Sequence, residues 1–306
     1  MNTSGVLVVG SANMDMVVVC EEFPKPGETI LGRQFGMFAG GKGANQAVCS
    51  AKLGGDTFFV GKMGNDIFRE KLSQNMKSDG VRLDYLLIDN AEPTGIALIT
   101  VNGYGQNEIV VVSGSNMKLT PEDINSHEKA FLEAGVVITQ LEIPLKTVME
   151  TARISKKHGA VFILNPAPAT RLPDELLRLT DYITPNEIEL EMLSGIPVSD
   201  AGSATTAAKR LIDKGVKNVV VTLGSKGALL VNRDRSEIFT AREVDVVDST
   251  AAGDAFNGAL AFAISEGKTI DEAIRFANIV ASYSVTKLGA QTSMPTMDEI
   301  KAVKML

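Results

Sequence analysis

The 306-residue chain is poor in the residues on which several common kinds of site depend: it has two cysteines, two histidines and no tryptophan. Cys20 and Cys49 lie in apolar stretches without a C-x-x-C spacing, so we expect reduced core thiols rather than a disulfide or a zinc site. His127 and His158 lie in the polar contexts S-H-E-K and K-K-H-G, and we expect solvated helix residues. A histidine-dependent triad or a His-rich metal site is therefore disfavoured.

The chain also lacks an excess of positive charge and long apolar runs. Its net charge of −7 and pI near 5.1 offer no long-range attraction to nucleic acid or to an anionic membrane. Residues 1–10 lack the features of a signal peptide, and no later run approaches the ~20 apolar residues of a membrane helix. We expect a cytoplasmic protein without nucleic-acid or membrane partners, in which any phosphate-bearing ligand is captured by a local group of residues.

Short apolar runs recur along the chain with helical stretches between them. The runs are residues 6–9, 136–139, 161–164, 182–184 and 219–223. Continuous runs rich in β-branched residues are typical of parallel strands that are covered on both faces. They predict an α/β fold with a three-layer, doubly wound, mostly parallel sheet, formed by one domain over residues 1–306.

Two segments interrupt this pattern, at about residues 15–38 and 94–112. Apolar residues alternate in them, as at Ile96 and Leu98, and Gly and Pro residues bound them. They predict a small antiparallel sheet that projects from the main body.

Polar residues follow the predicted strands at the points where those strands end. They are Asn13, Asp15, Gln140, Glu142, Asn165, Asn186 and Thr222, with Gly224. Ligands of open α/β sheets bind beyond the carboxyl ends of the strands. We therefore expect these residues to face one cleft.

Residues 36–43 read G-M-F-A-G-G-K-G and satisfy the first seven positions of the phosphate-binding P-loop pattern. Gly43 then stands where a Ser or Thr should hold magnesium, so a P-loop ATPase is disfavoured. Within residues 40–46 the three glycines would let backbone approach a ligand closely, and Asn45 would project from the first turn of the next helix. A structural turn before a helix explains the same residues equally well.

The strongest local pattern is D-S-T-A-A-G-D at residues 248–254, followed by an apolar helix over residues 255–264. Small residues at a helix N-terminus leave N–H groups pointing outward, which predicts an anion hole for a transferring phosphoryl group. Asp254 would then be an ionised base that accepts a hydroxyl proton. The alternative is a carboxylate that only complements the helix dipole, worth well under about 1 kcal/mol if exposed.

Several motifs occur in order along the chain. They are G-S-A-N-M-D (10–15), F-P-K-P-G-E-T (23–29), G-G-K-G-A-N-Q-A (40–47), L-N-P-A-P-A (164–169), T-P-N-E (184–187), V-T-L-G-S-K-G (221–227) and A-A-G-D-A-F-N-G (251–258). With these motifs in this order, the chain resembles the ribokinase-like family of sugar and nucleoside kinases. The resemblance extends from the first predicted strand to about residue 295. One departure is Ala251, because many members have G-A-G-D where this chain has A-A-G-D.

The resemblance implies an ATP-dependent kinase that phosphorylates the 5-hydroxyl of D-ribose. It implies Asp254 as general base and the turn of Ala251, Ala252, Gly253 and Asp254 as anion hole. The positions that match the family's sugar site are Asn13, Asp15, Gly41, Lys42, Asn45, Glu142 and Asp254. Those that match its ATP site are Asn186, Thr222, Gly224, Gly227, Gly253 and Asn278.

The resemblance further implies two kinds of cation. Glu189 matches a position that acts on Mg²⁺ through water, and the positions of an activating K⁺ site are Asp248, Thr250, Ser284, Lys287, Gly289 and Ser293. The small sheet would be a lid that closes over the sugar and pairs two subunits into a homodimer.

The sequence leaves three alternatives open. A deoxyribose kinase differs by one substrate hydroxyl, and a nucleoside kinase would need more aromatic stacking than Phe23, Phe35 and Phe38 supply. A catalytically silent sugar-binding regulator is possible on the same fold, although Asp254 and Lys42 are retained.

Overall fold

A computed structural model describes residues 4–302 of the chain. The strands are β1 (Gly5–Val9), β2 (Asn13–Val19), β3 (Gln34–Gly40), β4 (Thr57–Val60), β5 (Lys62–Gly64), β6 (Leu87–Asp89), β7 (Gly95–Val101), β8 (Asn107–Val112), β9 (Ala134–Thr139), β10 (Val161–Leu164), β11 (Tyr182–Ile183), β12 (Asn218–Thr222), β13 (Ala228–Val231) and β14 (Ser236–Phe239). The α-helices are α1 (Lys42–Lys52), α2 (Ile67–Ser78), α3 (Pro121–Ser126), α4 (Lys129–Glu133), α5 (Leu145–Lys157), α6 (Asp174–Leu179), α7 (Glu187–Ser194), α8 (Ala201–Asp213), α9 (Ala252–Ser265), α10 (Ile270–Ser284) and α11 (Met297–Ala302). Short 3₁₀ turns lie at Gly114–Lys118, Gly224–Lys226 and Gln291–Ser293.

The main sheet has the strand order β14-β13-β12-β11-β10-β9-β1-β4. Its strands pair in parallel from β4 to β12, and only the hairpin β13–β14 adds antiparallel pairs. The apolar runs predicted as parallel strands are β1, β9, β10, β11 and β12, so that prediction is confirmed. Strand β4 and the hairpin β13–β14 were not predicted.

The apolar runs are continuous because both faces of this sheet are covered. Val6 and Val8 of β1 belong to a core that contains residues of α1, α9 and α10. Leu7 and Val9 of the same strand belong to a second core with residues of α5 and α8. Neighbouring residues of a strand point to opposite faces, so every position of β1 is buried. The predicted three-layer arrangement is confirmed.

A second, four-stranded sheet has the order β3-β2-β7-β8 and is built from the two segments predicted to project. The outer pairs β2–β3 and β7–β8 are antiparallel, as expected, while the inner pair β2–β7 is parallel. Strand β8 forms one edge, and all six of its residues are exposed. Its apolar side chains at Ile109 and Val110 are therefore available to a partner.

The rare residues are placed in two different ways. Cys20 and Cys49 are buried free thiols, as expected. His158 is not the solvated residue that we expected, because its ring lies 2.6 Å from the Glu128 carboxylate and its side chain is only 18% exposed. Within residues 4–302, no helix combines the length and apolar character needed to cross a bilayer.

Candidate active site

The site lies where β1, β9 and β10 end and where α1 and α9 begin. Asp254, in the first turn of α9, is 7% exposed. Its Oδ2 accepts a hydrogen bond from Asn45 Nδ2 at 2.9 Å, and its Oδ1 accepts one from Gln46 Nε2 at 3.0 Å. Burial raises the pKa of Asp254, while the nearby Lys42 ammonium and these two donors act in the opposite direction. A buried carboxylate held in this way fits the role of a proton acceptor.

Three carboxylates and one ammonium share this region. Burial raises the pKa of Asp15 to about 7, and the charges of Glu142 and Asp254 add to the shift. Burial acts to lower the pKa of Lys42, but the surrounding carboxylates, Asp254 first among them, outweigh it and hold the pKa above its ordinary value. The predicted residues Asp15, Lys42, Glu142 and Asp254 are therefore electrostatic neighbours. Lys42 offsets part of the negative charge.

The N-terminus of α1 is filled by the protein itself. Gly41 has φ +87°, and a Cβ there would lie 2.6 Å from the backbone N of Asn13. The N–H of Lys42 donates to Glu142 Oε2 at 3.2 Å, and the N–H groups of residues 43 and 44 donate to Ser11. Gly41 is thus needed where two backbone segments approach each other. The close approach seen at Gly41 is therefore to protein backbone, and the contact of this turn with the sugar stays a prediction.

The N-terminus of α9 is different. Among residues 4–302, no acceptor is hydrogen-bonded to the N–H groups of Ala251, Gly253 or Asp254, while the N–H of Ala252 donates to Ser249 O at 3.2 Å. A Cβ at Gly253 would meet no atom within 4 Å. Ala251 has φ +59°, in the left-handed region that glycine enters more easily, which explains why glycine suits this position. Three of the four predicted anion-hole amides are therefore available to a ligand.

A cavity of about 960 Å³ opens beside this turn. All of the predicted ATP-site residues line it, namely Asn186, Thr222, Gly224, Gly227, Gly253 and Asn278. Segment 241–246 and Phe256 also line the cavity, and neither was predicted. The alternating pattern at 243–247, E-V-D-V-V, was the available signal, but the segment forms no strand.

Asp248 joins two segments that the sequence separates by about forty residues. Its carboxylate accepts hydrogen bonds from the N–H of Thr250 at 2.9 Å, the hydroxyl of Thr250 at 2.6 Å and the N–H of Gly289 at 2.9 Å. These bonds outweigh the effect of burial and lower the pKa of Asp248, so it stays anionic. The predicted residues Asp248, Thr250 and Gly289 are thus brought together. Ser293 lies farther along the same loop, where its hydroxyl donates to Ala290 O.

Asn186 and Glu189 form a capping box at the start of α7. The N–H of Asn186 donates to Glu189 Oε2 at 2.9 Å, and Asn186 Oδ1 accepts from the N–H of Glu189 at 2.8 Å. Burial raises the pKa of Glu189, against the hydrogen bond from Asn186 and the charge of Lys42. Glu189 was predicted to act on Mg²⁺, and its role in the capping box was not predicted.

The family of the chain follows from a comparison with known sequences. Residues 3–297 match the profile of the pfkB family carbohydrate kinases. The chain belongs to this family. It is 42% identical to a ribokinase of Haemophilus influenzae, over 95% of each protein. It is also 42% identical to a bifunctional ribokinase/ribose-5-phosphate isomerase A of Fructilactobacillus sanfranciscensis, and there it spans 96% of its own length and 55% of the longer protein.

Two further relatives bear on the substrate. A solved structure of Arabidopsis thaliana ribokinase, complexed with ribose and ATP, superimposes with a TM-score of 0.93 at 40% identity and covers 98% of both chains. A deoxyribokinase of Salmonella typhi is 38% identical over 96% of each protein. Proteins with two sugar specificities thus lie at similar distances from this chain.

Proposed function

We propose that the chain transfers the γ-phosphoryl group of ATP to the 5-hydroxyl of D-ribose, giving ribose 5-phosphate and ADP. One observation carries the proposal: two consecutive residues of α9 face different compartments. Gly253 lines the 960 Å³ cavity, whereas Asp254 is hydrogen-bonded to Asn45. Asn45 belongs to the polar cluster of predicted sugar-site residues, which are Asn13, Asp15, Asn45 and Glu142. A phosphoryl donor in the cavity and a sugar in the cluster would therefore meet at this turn.

In this proposal Asp254 accepts the proton of the attacking hydroxyl. Burial raises the pKa of Asp254 towards neutral pH, and a general base works best when its pKa is near the pH of the reaction. The N–H groups of Ala251, Gly253 and Asp254, which have no acceptor among residues 4–302, would donate hydrogen bonds to the oxygens on which charge develops during transfer. The remaining polar residues of the cluster, Asn13, Asp15, Asn45 and Glu142, would bind the sugar hydroxyls, and Lys42 would offset the phosphate charge.

The donor groups also fit the two cations that such a reaction uses. Glu189 has one oxygen in its capping bond, and its other oxygen would hold Mg²⁺ through water, where the metal offsets phosphate charge. In this proposal Asp248 is the single anionic side chain of the K⁺ site. The carbonyl groups of Thr250, Ser284, Lys287 and Gly289, with Ser293 in the same loop, would complete it. One negative charge among carbonyls fits K⁺ better than a divalent ion.

We further propose that the chain forms one domain, with the four-stranded sheet as its lid and as the interface of a homodimer. In support, β8 presents an edge with unpaired backbone groups and apolar side chains, such as Ile109, which is 53% exposed. Edges of this kind pair with another chain or need protection. Light scattering should give twice the mass of one chain, and a single-chain mass at micromolar concentration would contradict the dimer.

We place the reaction in the cytoplasm, where ATP is available and thiols such as Cys20 stay reduced.

The test is ATP consumption with ribose, 2-deoxyribose, fructose and adenosine, each with and without K⁺. We expect the highest kcat/KM with ribose and a higher kcat when K⁺ is present. Asp254→Asn should lower turnover by about 10²-fold or more while the protein stays folded. Higher kcat/KM with 2-deoxyribose would favour the second candidate, to which the 38% identical deoxyribokinase points. Binding of sugar without any turnover would favour a silent regulatory homologue.

A further inference from the structure

Two chains of side-chain amides converge on the carboxylate of Asp254, one on each oxygen. On the Oδ1 side, Gln140 Nε2 donates to Gln46 Oε1 at 2.6 Å, and Gln46 Nε2 donates to Asp254 at 3.0 Å. On the Oδ2 side, Asn75 donates to Gln291 at 2.7 Å, Gln291 to Asn45 at 3.1 Å, and Asn45 to Asp254 at 2.9 Å. Every amide in both chains donates towards Asp254.

The direction of the Gln46 chain is fixed by an acceptor that cannot donate. This acceptor is the backbone carbonyl of Thr184, which accepts from Asn165 Nδ2 at 3.3 Å. Asn165 must therefore turn its Oδ1 towards Gln46, whose Nε2 donates to it at 3.1 Å. The NH₂ group of Gln46 is thus held by two partners, and its oxygen is left to accept from Gln140.

The chain ends at an acceptor that is left unpaired. Gln140 Oε1 is the buried side-chain polar atom without a hydrogen-bond partner in the part of the chain that the structure describes. A Cβ on Gly10 would collide with this atom, so glycine at position 10 makes room for the Gln140 amide. Leaving a buried acceptor unpaired is costly. The arrangement persists because the amide of Gln140 is committed to Gln46.

We propose that Gln46 is a positioning residue that keeps Asp254 ionised and correctly oriented for proton transfer, and that Gln140 and Asn165 orient Gln46. Gln46 and Gln140 are both fully buried, so neither can touch the sugar or the nucleotide. This inference rests on the proposed function, because it needs Asp254 to be the base. It adds residues that act only through that base.

A donor lost from one oxygen of a carboxylate makes the neutral acid easier to form. The other titratable groups around Asp254 are Lys42 and Cys49 on α1, Asp15 on β2, Glu142 after β9 and Glu189 on α7. Replacing Gln46 changes none of them chemically. The pKa of Asp254 should therefore rise, and the active, ionised form should be lost at a higher pH as the pH falls.

The experiment follows kcat from pH 5 to 9 at saturating ribose and ATP, so that sugar binding does not enter. Gln46→Leu keeps the side-chain volume and removes the donor. We expect its acid limb to move up by about one pH unit, which is about a tenfold loss of kcat below the limb. Its high-pH plateau should stay within about threefold of the wild type. Gln140→Leu, one bond farther away, should shift the limb in the same direction by less.

Asn218→Leu is the matched control, because Asn218 begins β12, at the opposite end of that strand from the cavity residue Thr222. Its side chain accepts from the amide of Asn232 at 3.3 Å and donates to Asp181 O at 3.2 Å. It should leave the limb unmoved. An equal loss of kcat at every pH in Gln46→Leu, with an unmoved limb, would show a merely structural role and overturn the proposal. If Gln46→Leu does not fold, Gln140→Leu decides by the same limb. Wild-type turnover in Asp254→Asn would instead overturn the proposed function, which separates the two failures.

Discussion

Helices α1 and α9 both begin after runs of small residues, and their N-termini lie at the same edge of the sheet. At α1, the first N–H groups are already bonded to Glu142 and Ser11. At α9, the N–H groups of Gly253 and Asp254 have no acceptor within the described residues 4–302. The two helix ends therefore differ in what is left over for a ligand. Only the end of α9 can serve as an anion site.

The comparison shows why a glycine-rich pattern alone is a weak signal. Glycine at position 41 makes space for another part of the chain, whereas glycine at position 253 leaves space that nothing fills. The P-loop interpretation of residues 36–43 relied on the first kind. Substitutions at the two helix ends should therefore have different effects. At α9 they should lower turnover, and at α1 they should lower stability.

The largest effect is expected at α9. Gly253→Val would put a branched side chain into the space beside the free N–H groups, and kcat/KM for ATP should fall by about 10²-fold. The melting temperature should change little, since valine in a helix is more favourable than glycine by about 0.5 kcal/mol. Gly202→Val is the control, because Gly202 is likewise the second residue of its helix, α8, and has only Asp200 Oδ1 nearby, at 3.4 Å. It should keep full activity.

At α1 the expected loss is in stability. Gly41→Ala adds both a strained backbone and a collision with Asn13 and Ala12, and it should lower the free energy of unfolding by about 3 kcal/mol. Gly54→Ala is its control, because Gly54 has φ +99° but open space around its Cβ position, so only about 1 kcal/mol of strain is added. Equal losses in a denaturant titration would mean that the close backbone approach at Gly41 has no energetic importance.

The smallest expected effect is a pH dependence of sugar binding. The pKa of Asp15 is raised to about 7, so its ionised fraction grows from about a tenth at pH 6 to about nine tenths at pH 8. If the ionised form accepts hydrogen bonds from ribose hydroxyls, KM for ribose should fall several-fold over that interval. Asp15→Asn should flatten the profile. A wild-type KM that does not vary with pH would show that Asp15 does not bind the sugar as a carboxylate.

Much of the layout could be predicted because it depends on local pattern. Apolar runs predicted the buried strands. The polar residues after them, such as Asn13 and Glu142, indicated the edge of the sheet where the candidate site lies. Strand partners could not be predicted in the same way. The parallel pairing of β2 with β7 joins residues about eighty positions apart and is set by tertiary packing rather than by either segment alone.

The amides around Asp254 show the same limit at the level of side chains. Gln140 and Asn165 were noticed as residues that follow strands, but nothing local indicates that both contact Gln46. Gln291 gave no signal at all, since its partner Asn45 is 246 residues away. A hydrogen-bond chain depends on where several distant side chains meet, and that is a property of the folded chain.

The left-handed backbone of Ala251 has a consequence for how the anion turn is kept in shape. Alanine adopts this conformation at a cost of about 1 kcal/mol, so the turn would relax to a right-handed form if nothing opposed it. What opposes it are the bonds of Asp248 to Thr250 and Gly289, together with the bond from the N–H of Ala252 to Ser249 O. The strained conformation of the turn therefore depends on hydrogen bonds, and those of Asp248 lie outside the cavity. We therefore expect substitutions that weaken the segment around Gly289 to displace the amides of this turn, although that segment is separate from the residues proposed to bind sugar and ATP.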